Sequence, residues 1–517
     1  MAKHTASRPD RRRPKPRRPK PRRPKPCRPK PCRPKSRRPT HGDHLDELRL
    51  WLLGGHGLFG SLPSHGNRRW TPADLVWLAL CWAWSPLRSL TAAFADAASV
   101  RSQMLGDSSL GTCQGFMNAL VGWTSQLLPT LQHVVQQRMR QIGGRFWRVD
   151  GWVPIAFDGS RSSAPRSRSN EEALCAPNYG KGKTAKYRRK KTKGLRRRRV
   201  ARHPQRPQEP QAWITLMWHM GLRLPWNWRL GPSNSSERAH VMEMRAGTFP
   251  ADTLFCGDAG FVGYPLWSLM VRRGHDFVVR VGANASLLTQ QADWQWTGDA
   301  KSRQVLCWPK GAVKQGLPPL RLRLMRVRLG RTKVWLLTSV REPERLTPSQ
   351  AERLYRMRWG IEVEFRGLKQ TLERSKLRSR NATRLLAELD WSILAMAVAE
   401  LFALKEQLSK QAARRAGKGH AGKGRQRAPD PSRRSLARTM RALQGSLRSL
   451  GTAPAEGRDL ASQLREALTD GYERKRGKGS RSRAPNPDKK PLGDPKLRPP
   501  NREEKRKLQQ FQEKAAA

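Results

Sequence analysis

The chain has 517 residues, with 103 Lys and Arg against 40 Asp and Glu and a net charge of +63. That length accommodates about two or three domains, and the charge calls for a polyanionic partner, nucleic acid before an acidic membrane surface because the basic runs lack apolar faces. No long apolar run and no apolar segment after the basic N-terminus occur, and the seven cysteines form no CxxC pair; a membrane span, a secretory signal, a disulfide framework and a zinc ribbon are therefore not expected, and a reducing, cytoplasmic setting is.

The charge is concentrated. Residues 1–40, 181–207 and 411–517 together hold +48 of the +63, so the rest reads as an ordinary, mildly basic folded protein with polycationic attachments. Residues 12–36 repeat a five-residue RRPKP-type unit. Proline at that density blocks helix and ladder hydrogen bonds, and without apolar residues no core forms. Residues 1–42 are expected to be a disordered basic arm, which is either a DNA-binding device or an incidental low-complexity extension.

Residues 43–145 read as a small helical domain with DNA binding as its expected role. Apolar residues recur at three- and four-residue steps over His44–Leu53, Pro72–Trp84, Leu90–Ala95 and Leu120–Ile142. Thr71 then Pro72 forms a helix entry, N-cap followed by N1. From about residue 146 strands and helices alternate. The expected strands are Trp152–Phe157, Ile214–Met220, Trp226–Leu230, Thr253–Cys256 and Asp276–Val281, with helices Glu237–Ala246 and Pro265–Arg273. Residues 181–210 form a basic loop, and 285–342 turns all-β with strands at Trp294–Trp296, Gln304–Trp308, Leu320–Leu329 and Lys333–Thr338. Helices at Ser349–Glu373 and Leu385–Leu404 complete an α/β domain over 146–408. Residues 409–517 are a basic tail, mostly disordered, with short helices over 432–470. The polycationic segments are expected to add non-specific DNA affinity and to leave the choice of DNA sequence to the folded parts.

Two aspartates each end an apolar strand: Asp158 in FDGS and Asp258 in GDAGFVGYP. Either alone is explained by turn formation or capping. A third acid, Glu362, lies in YRMRWGIEVEFRGLK with Tyr355, Arg358 and Lys369. On a regular helix these four side chains span an arc of about 60°. Glu364 lies about 180° from Tyr355 on that wheel, so helix phase prefers Glu362. A solvated face of an amphipathic helix explains the four residues taken alone. Three acids converging on one sheet edge would instead need cations, and oxygen ligands suit Mg²⁺ or Mn²⁺.

The blocks FDGS, GDAGFVGYP and YxxRxxxExxxxxxK, in that order, resemble the DDE transposases of bacterial insertion sequences, in the subgroup named for its Tyr-Arg-Glu-Lys motif. The resemblance covers about residues 145–405. It implies a mixed α/β, RNase H-like catalytic domain with a β-rich insertion at 285–342. It implies catalytic, metal-holding Asp158, Asp258 and Glu362, with two Mg²⁺ ions for which Mn²⁺ substitutes, and DNA contacts from Tyr355, Arg358 and Lys369. Asp150 and Glu364 are the disfavoured alternatives. Relatives stack a flipped base on an aromatic; Trp294, Trp296 and Trp308 are the candidates, Trp308 first, with core packing the competing explanation. Arg280 is a further DNA-contact candidate, or a solvated strand end. The implied partners are terminal inverted repeats and target DNA, with a homodimer in the synaptic complex, in a bacterial cytoplasm at the nucleoid. The alternatives are an inactive transposase-derived nucleic-acid-binding protein and another RNase H-like nuclease such as a junction resolvase.

Overall fold

The N-terminal helices begin where threonine takes up the free amides of a first turn. Thr40, Thr71 and Thr112 cap α1 (His41–Leu53), α2 (Pro72–Trp84) and α4 (Cys113–Gly143), and Ser89 caps α3 (Leu90–Leu105). The Thr71–Pro72 entry forms as expected: Thr71 Oγ1 accepts from the Asp74 amide at 3.1 Å, and proline takes the first turn. The computed structural model describes residues 39–55, 57–60, 62, 70–106, 111–175, 209–244, 249–289, 295–297, 300–330, 332–409, 430–469 and 492–516. The proline-rich arm, the basic loop at 181–207 and Trp294 fall outside the described residues. No described helix is long and apolar enough to cross a membrane.

The fold is mixed α/β and is built on one large sheet. Its strands are β1 (Val153–Ser163), β2 (Gln211–His219), β3 (Leu224–Gly231), β4 (Thr253–Gly257), β5 (Asp276–Val281), β6 (Ser286–Thr289), β7 (Gln295–Thr297), β8 (Ala300–Cys307), β9 (Leu320–Leu329), β10 (Thr332–Thr338) and β11 (Lys496–Arg498). Their order is β11-β6-β8-β9-β10-β5-β4-β1-β2-β3, with β7 beside β8. The strands β1, β4 and β5 run parallel at the centre. Their near-continuous apolar runs, such as Ile155–Ala156–Phe157 and Leu254–Phe255–Cys256, are buried on both faces. The β-rich stretch continues this sheet, because β10 pairs antiparallel with β5.

Helices cover the sheet: α5 (Arg168–Leu174), α6 (Glu237–Met244), α7 (Tyr264–Arg272), α8 (Lys310–Lys314), α9 (Pro348–Met357), α10 (Gly360–Arg366) and α11 (Ala382–Leu408). The last is buried on nearly every side. The N-terminal helices pack directly on it: Trp84 Nε1 donates to the Ala395 carbonyl at 2.8 Å, and Trp391 Nε1 to Thr124 Oγ1 at 2.9 Å. Both indoles are fully buried, and these bonds satisfy their one polar atom. The helices of 43–145 thus share one core with the sheet domain.

The expected single helix over Ser349–Glu373 is interrupted. It leaves regular α-geometry at Arg358–Trp359, resumes as α10, and widens into a π-turn over Gly367–Thr371. Gly360 stands where a Cβ would overlap the Trp218 ring, so glycine lets α10 cross the sheet closely.

Within 409–517 the described residues depart from a disordered tail. The short helices α12 (Leu436–Arg448) and α13 (Leu460–Glu466) pack into the core through Met440, Leu443, Leu460 and Leu464. Strand β11 adds parallel to β6, and α14 (Arg502–Ala516) follows it.

Candidate active site

The apolar run of β1 carries its chain through the sheet centre and delivers Asp158 where burial ends. β4 does the same for Asp258. These two strands are adjacent and parallel, with Ala156 opposite Cys256. Two residues further along, Asp158 and Asp258 stand side by side, Asp258 directly after β4 and Asp158 midway along β1, which runs on beside β2 to Ser163. Gly257 makes the approach feasible, because a side chain there would overlap the Phe157 ring. Asp158 Oδ1 accepts from the Gly159 amide at 2.8 Å, and Asp258 Oδ1 from the Gly260 amide at 2.8 Å.

Arg358 links Asp158 to Glu362 on the helix. Its Nη1 donates to Asp158 Oδ2 at 3.2 Å, and its Nη2 lies 3.6 Å from Glu362 Oε1. Its guanidinium sits 5.5 Å from the centre of the Tyr355 ring. Arg358 is 7% exposed, and its Nε has no hydrogen-bond partner among the described residues. Burial opposes its charge, but Tyr355, Asp158, Asp258 and Glu362 outweigh burial and raise its pKa. Burial pushes the Asp158 and Glu362 carboxyls upward, with Arg358 pulling both back. Lys369, on the π-turn, donates to Ser160 Oγ at 2.7 Å, and burial lowers its pKa. Arg280 lies close enough to Tyr355 to act on its phenol electrostatically.

The acids set aside by helix phase and strand context lie elsewhere. Glu364 is 7% exposed and faces inward, where it accepts from Trp218 Nε1 at 3.3 Å and adjoins Glu400. Burial and Glu400 hold its carboxyl well above the usual range. Asp150 pairs with Arg353 in the turn before β1. Trp308 is 2% exposed; its Nε1 donates to the Leu317 carbonyl at 2.7 Å and its ring meets Phe511 of α14 edge-on at 5.7 Å. It is packed as a core residue, and a base stacks on it only if Phe511 moves. The side chain of Trp296 in β7 is outside the described residues.

One carboxylate beside the aspartates was missed by the sequence reading. Glu237 opens α6, and its side chain fills the space beside Gly159, where a Cβ would overlap its carboxylate; it also reaches Gly260, at 3.9 Å from a Cβ built there. Its signal in the sequence is only an acid in a first turn after a serine-rich loop. Burial first, then Asp158 and Asp258, raise its pKa from 4.5 to about 7, against Arg161. The ionised form is therefore disfavoured by folding, and the chain loses stability as pH rises through about 7. Glu237→Gln should accordingly melt higher than the parent at pH 8 in EDTA, with the advantage shrinking toward pH 5. Melting curves at the two pH values check this; an advantage that grows on acidification contradicts it.

The donor types fit a hard divalent cation, since three carboxylates approach from β1, β4 and α10. The arrangement does not: among the described residues no three His, Cys, Asp or Glu side chains are grouped to hold one metal ion, and Arg358 occupies the cation's place.

No curated protein matches the chain. A cryo-EM structure of a piggyBac transposase synaptic complex with hairpin DNA is similar at 12% identity over 82% of this chain and 84% of that chain, with a TM-score of 0.33, a likeness too distant to carry an argument. Residues 155–398, which contain Asp158, Asp258, Arg358, Glu362 and Lys369, match the family model for the transposase DDE domain.

Proposed function

We propose that this chain is a DDE-type DNA transposase, cutting phosphodiesters at transposon ends and joining the freed 3′-OH to target DNA. The observation that carries it is the juxtaposition of Asp158 and Asp258 on neighbouring parallel strands, joined through Arg358 to Glu362, inside the segment that matches the transposase domain. The proposed roles are a carboxylate centre of Asp158, Asp258 and Glu362, and a cationic, hydrogen-bonding rim of Arg358, Lys369, Tyr355 and Arg280 that aligns the scissile phosphate. A guanidinium fork suits two phosphate oxygens, and a buried one held between carboxylates is pre-aimed. Divalent cations, Mg²⁺ with Mn²⁺ as substitute, belong to this reading as the cofactor; as the side chains stand, the carboxylates serve Arg358. The helices of 43–145 are assigned to reading the DNA end. A homodimer on paired ends, in a bacterial cell, completes the reading.

The test is an excision assay in bacteria with a plasmid carrying the gene's own flanking DNA. The wild-type chain should release the element, and Asp158→Asn should not. DNA binding with no excision by wild type would favour the inactive DNA-coating alternative, and cleavage confined to branched junctions would favour a resolvase.

The basic arm is given a separate role. Residues 1–40 carry 18 Lys and Arg against one acid, and each phosphate they neutralise releases counterions. Deleting residues 1–38 should weaken binding to random duplex and flatten the plot of log affinity against log salt, while the cut position stays unchanged. An unchanged salt slope, or a moved cut, contradicts that role.

A further inference from the structure

Arg358 is in an unusual position for a residue that contacts DNA. It is 7% exposed, its two terminal nitrogens are engaged by Asp158 and Glu362, and its buried Nε has no hydrogen-bond partner among the described residues. Asp258 adds to the field that holds it. The three acids that would receive divalent cations are thus already neutralised in part by a side chain of the same helix segment. A guanidinium and a metal ion cannot share those oxygens, because two cations in contact repel strongly at low dielectric. The backbone of Arg358 is held on both sides, its amide donating to the Leu354 carbonyl at 3.3 Å and its carbonyl accepting from the Ile361 amide at 3.0 Å, which fixes where the guanidinium is delivered.

We propose that Arg358 is an internal cation: it holds the carboxylates together in the DNA-free chain and excludes divalent metal from them. This rests on the transposase reading for the identity of the metal. The guanidinium already answers the charge of Asp158 and Glu362, and its fork sits on the oxygens that an ion would need free.

The experiment is Mn²⁺ binding to the full chain without DNA, read by loss of the free-ion paramagnetic resonance signal. The wild-type chain should bind weakly at this site, and Arg358→Gln should bind at least about tenfold more tightly, because the competing charge is gone. Asp158→Asn combined with Arg358→Gln should abolish that gain, which places the ion at these carboxylates. Arg358→Lys keeps the charge but loses the fork and should fall between the two; it carries the comparison if the glutamine variant fails to fold. Wild-type affinity equal to that of Arg358→Gln overturns the proposal, as does a gain that survives loss of Asp158. Failure of wild-type cleavage on DNA ends would sink the transposase reading instead, and leaves the metal competition measurable.

Discussion

Arg434→Ala should destabilise the chain by about 3 to 5 kcal/mol, the cost of breaking a buried ion pair from one side. Arg434 comes from the C-terminal region but is 8% exposed, and its side chain reaches the buried carboxyl of Glu364 on α10 closely enough to act on it electrostatically. Its Nη1 donates to the Leu222 carbonyl at 3.1 Å, its Nη2 to that of Arg223, and its Nε to Glu400 at 3.4 Å. Glu400 in turn adjoins Glu364, whose carboxyl is pushed far up by burial and by that neighbour. Removing Arg434 leaves two buried carboxyls and two carbonyls without their cation. Denaturant unfolding should show the loss, and Glu400→Gln in the same chain should recover part of it, because the stranded charge is then absent. A change under about 1 kcal/mol would mean the network is solvated and the C-terminal segment is loosely held. The same packing predicts that a chain ending at residue 429 is insoluble or inactive, since Met440, Leu443, Leu460 and Leu464 complete the core. The C-terminal region is therefore part of the folded core, unlike a basic tail that can be removed.

Glu362→Gln should lower cleavage by three orders of magnitude or more, roughly 4 kcal/mol of transition-state stabilisation, while DNA affinity, which rests on Lys and Arg, changes little. Glu364→Gln should keep most of the activity. The two acids differ by two positions and face opposite sides: Glu362 is partly exposed beside Arg358, and Glu364 is buried against Trp218. Burial and Glu400 disfavour a charge on Glu364, so a neutral amide suits that site. Parallel single-turnover rates and binding isotherms for the two variants decide this, and equal losses would contradict the assignment of Glu362 to the chemistry.

The pair of aspartates was legible in the sequence because burial is local information. An apolar run that stops at an acid marks a buried strand and the point where its burial ends, as Val153–Phe157 does before Asp158 and Thr253–Gly257 before Asp258. Glu362 was separable from Glu364 by helix phase, and the phase survived the break at Arg358–Trp359 because Arg358 itself keeps αR geometry. The limits of α2, β5 and β9 were readable for the same reason, a strong pattern with clear stops. Glu237 was not legible. It meets Asp158 only because β2 and β3 fold back beside β1 and bring α6 over Gly159, a long-range event with no local mark. Nor was the role of Arg434, one arginine in a chain of 103 basic residues, whose partners lie over two hundred residues away at Leu222 and Arg223. β11 is three residues long and is defined by β6 alone. The stacking role suggested for Trp308 rested on sequence context, and the packing of Phe511 on that ring could not be foreseen from it.

The central claim is that Asp158, Asp258 and Glu362 form one centre for DNA strand cleavage. Its most direct test is incubation of the purified full chain with Mg²⁺ or Mn²⁺ and linear DNA carrying the gene's own flanking sequence, with the cut ends mapped to single-nucleotide resolution. The account predicts cuts at one fixed position that leave a 3′-OH, and predicts that Asp158→Asn, Asp258→Asn and Glu362→Gln each bind the same DNA without cutting it. Cleavage that persists in any one of the three variants, or wild-type protein that binds these ends and never cuts, would contradict it.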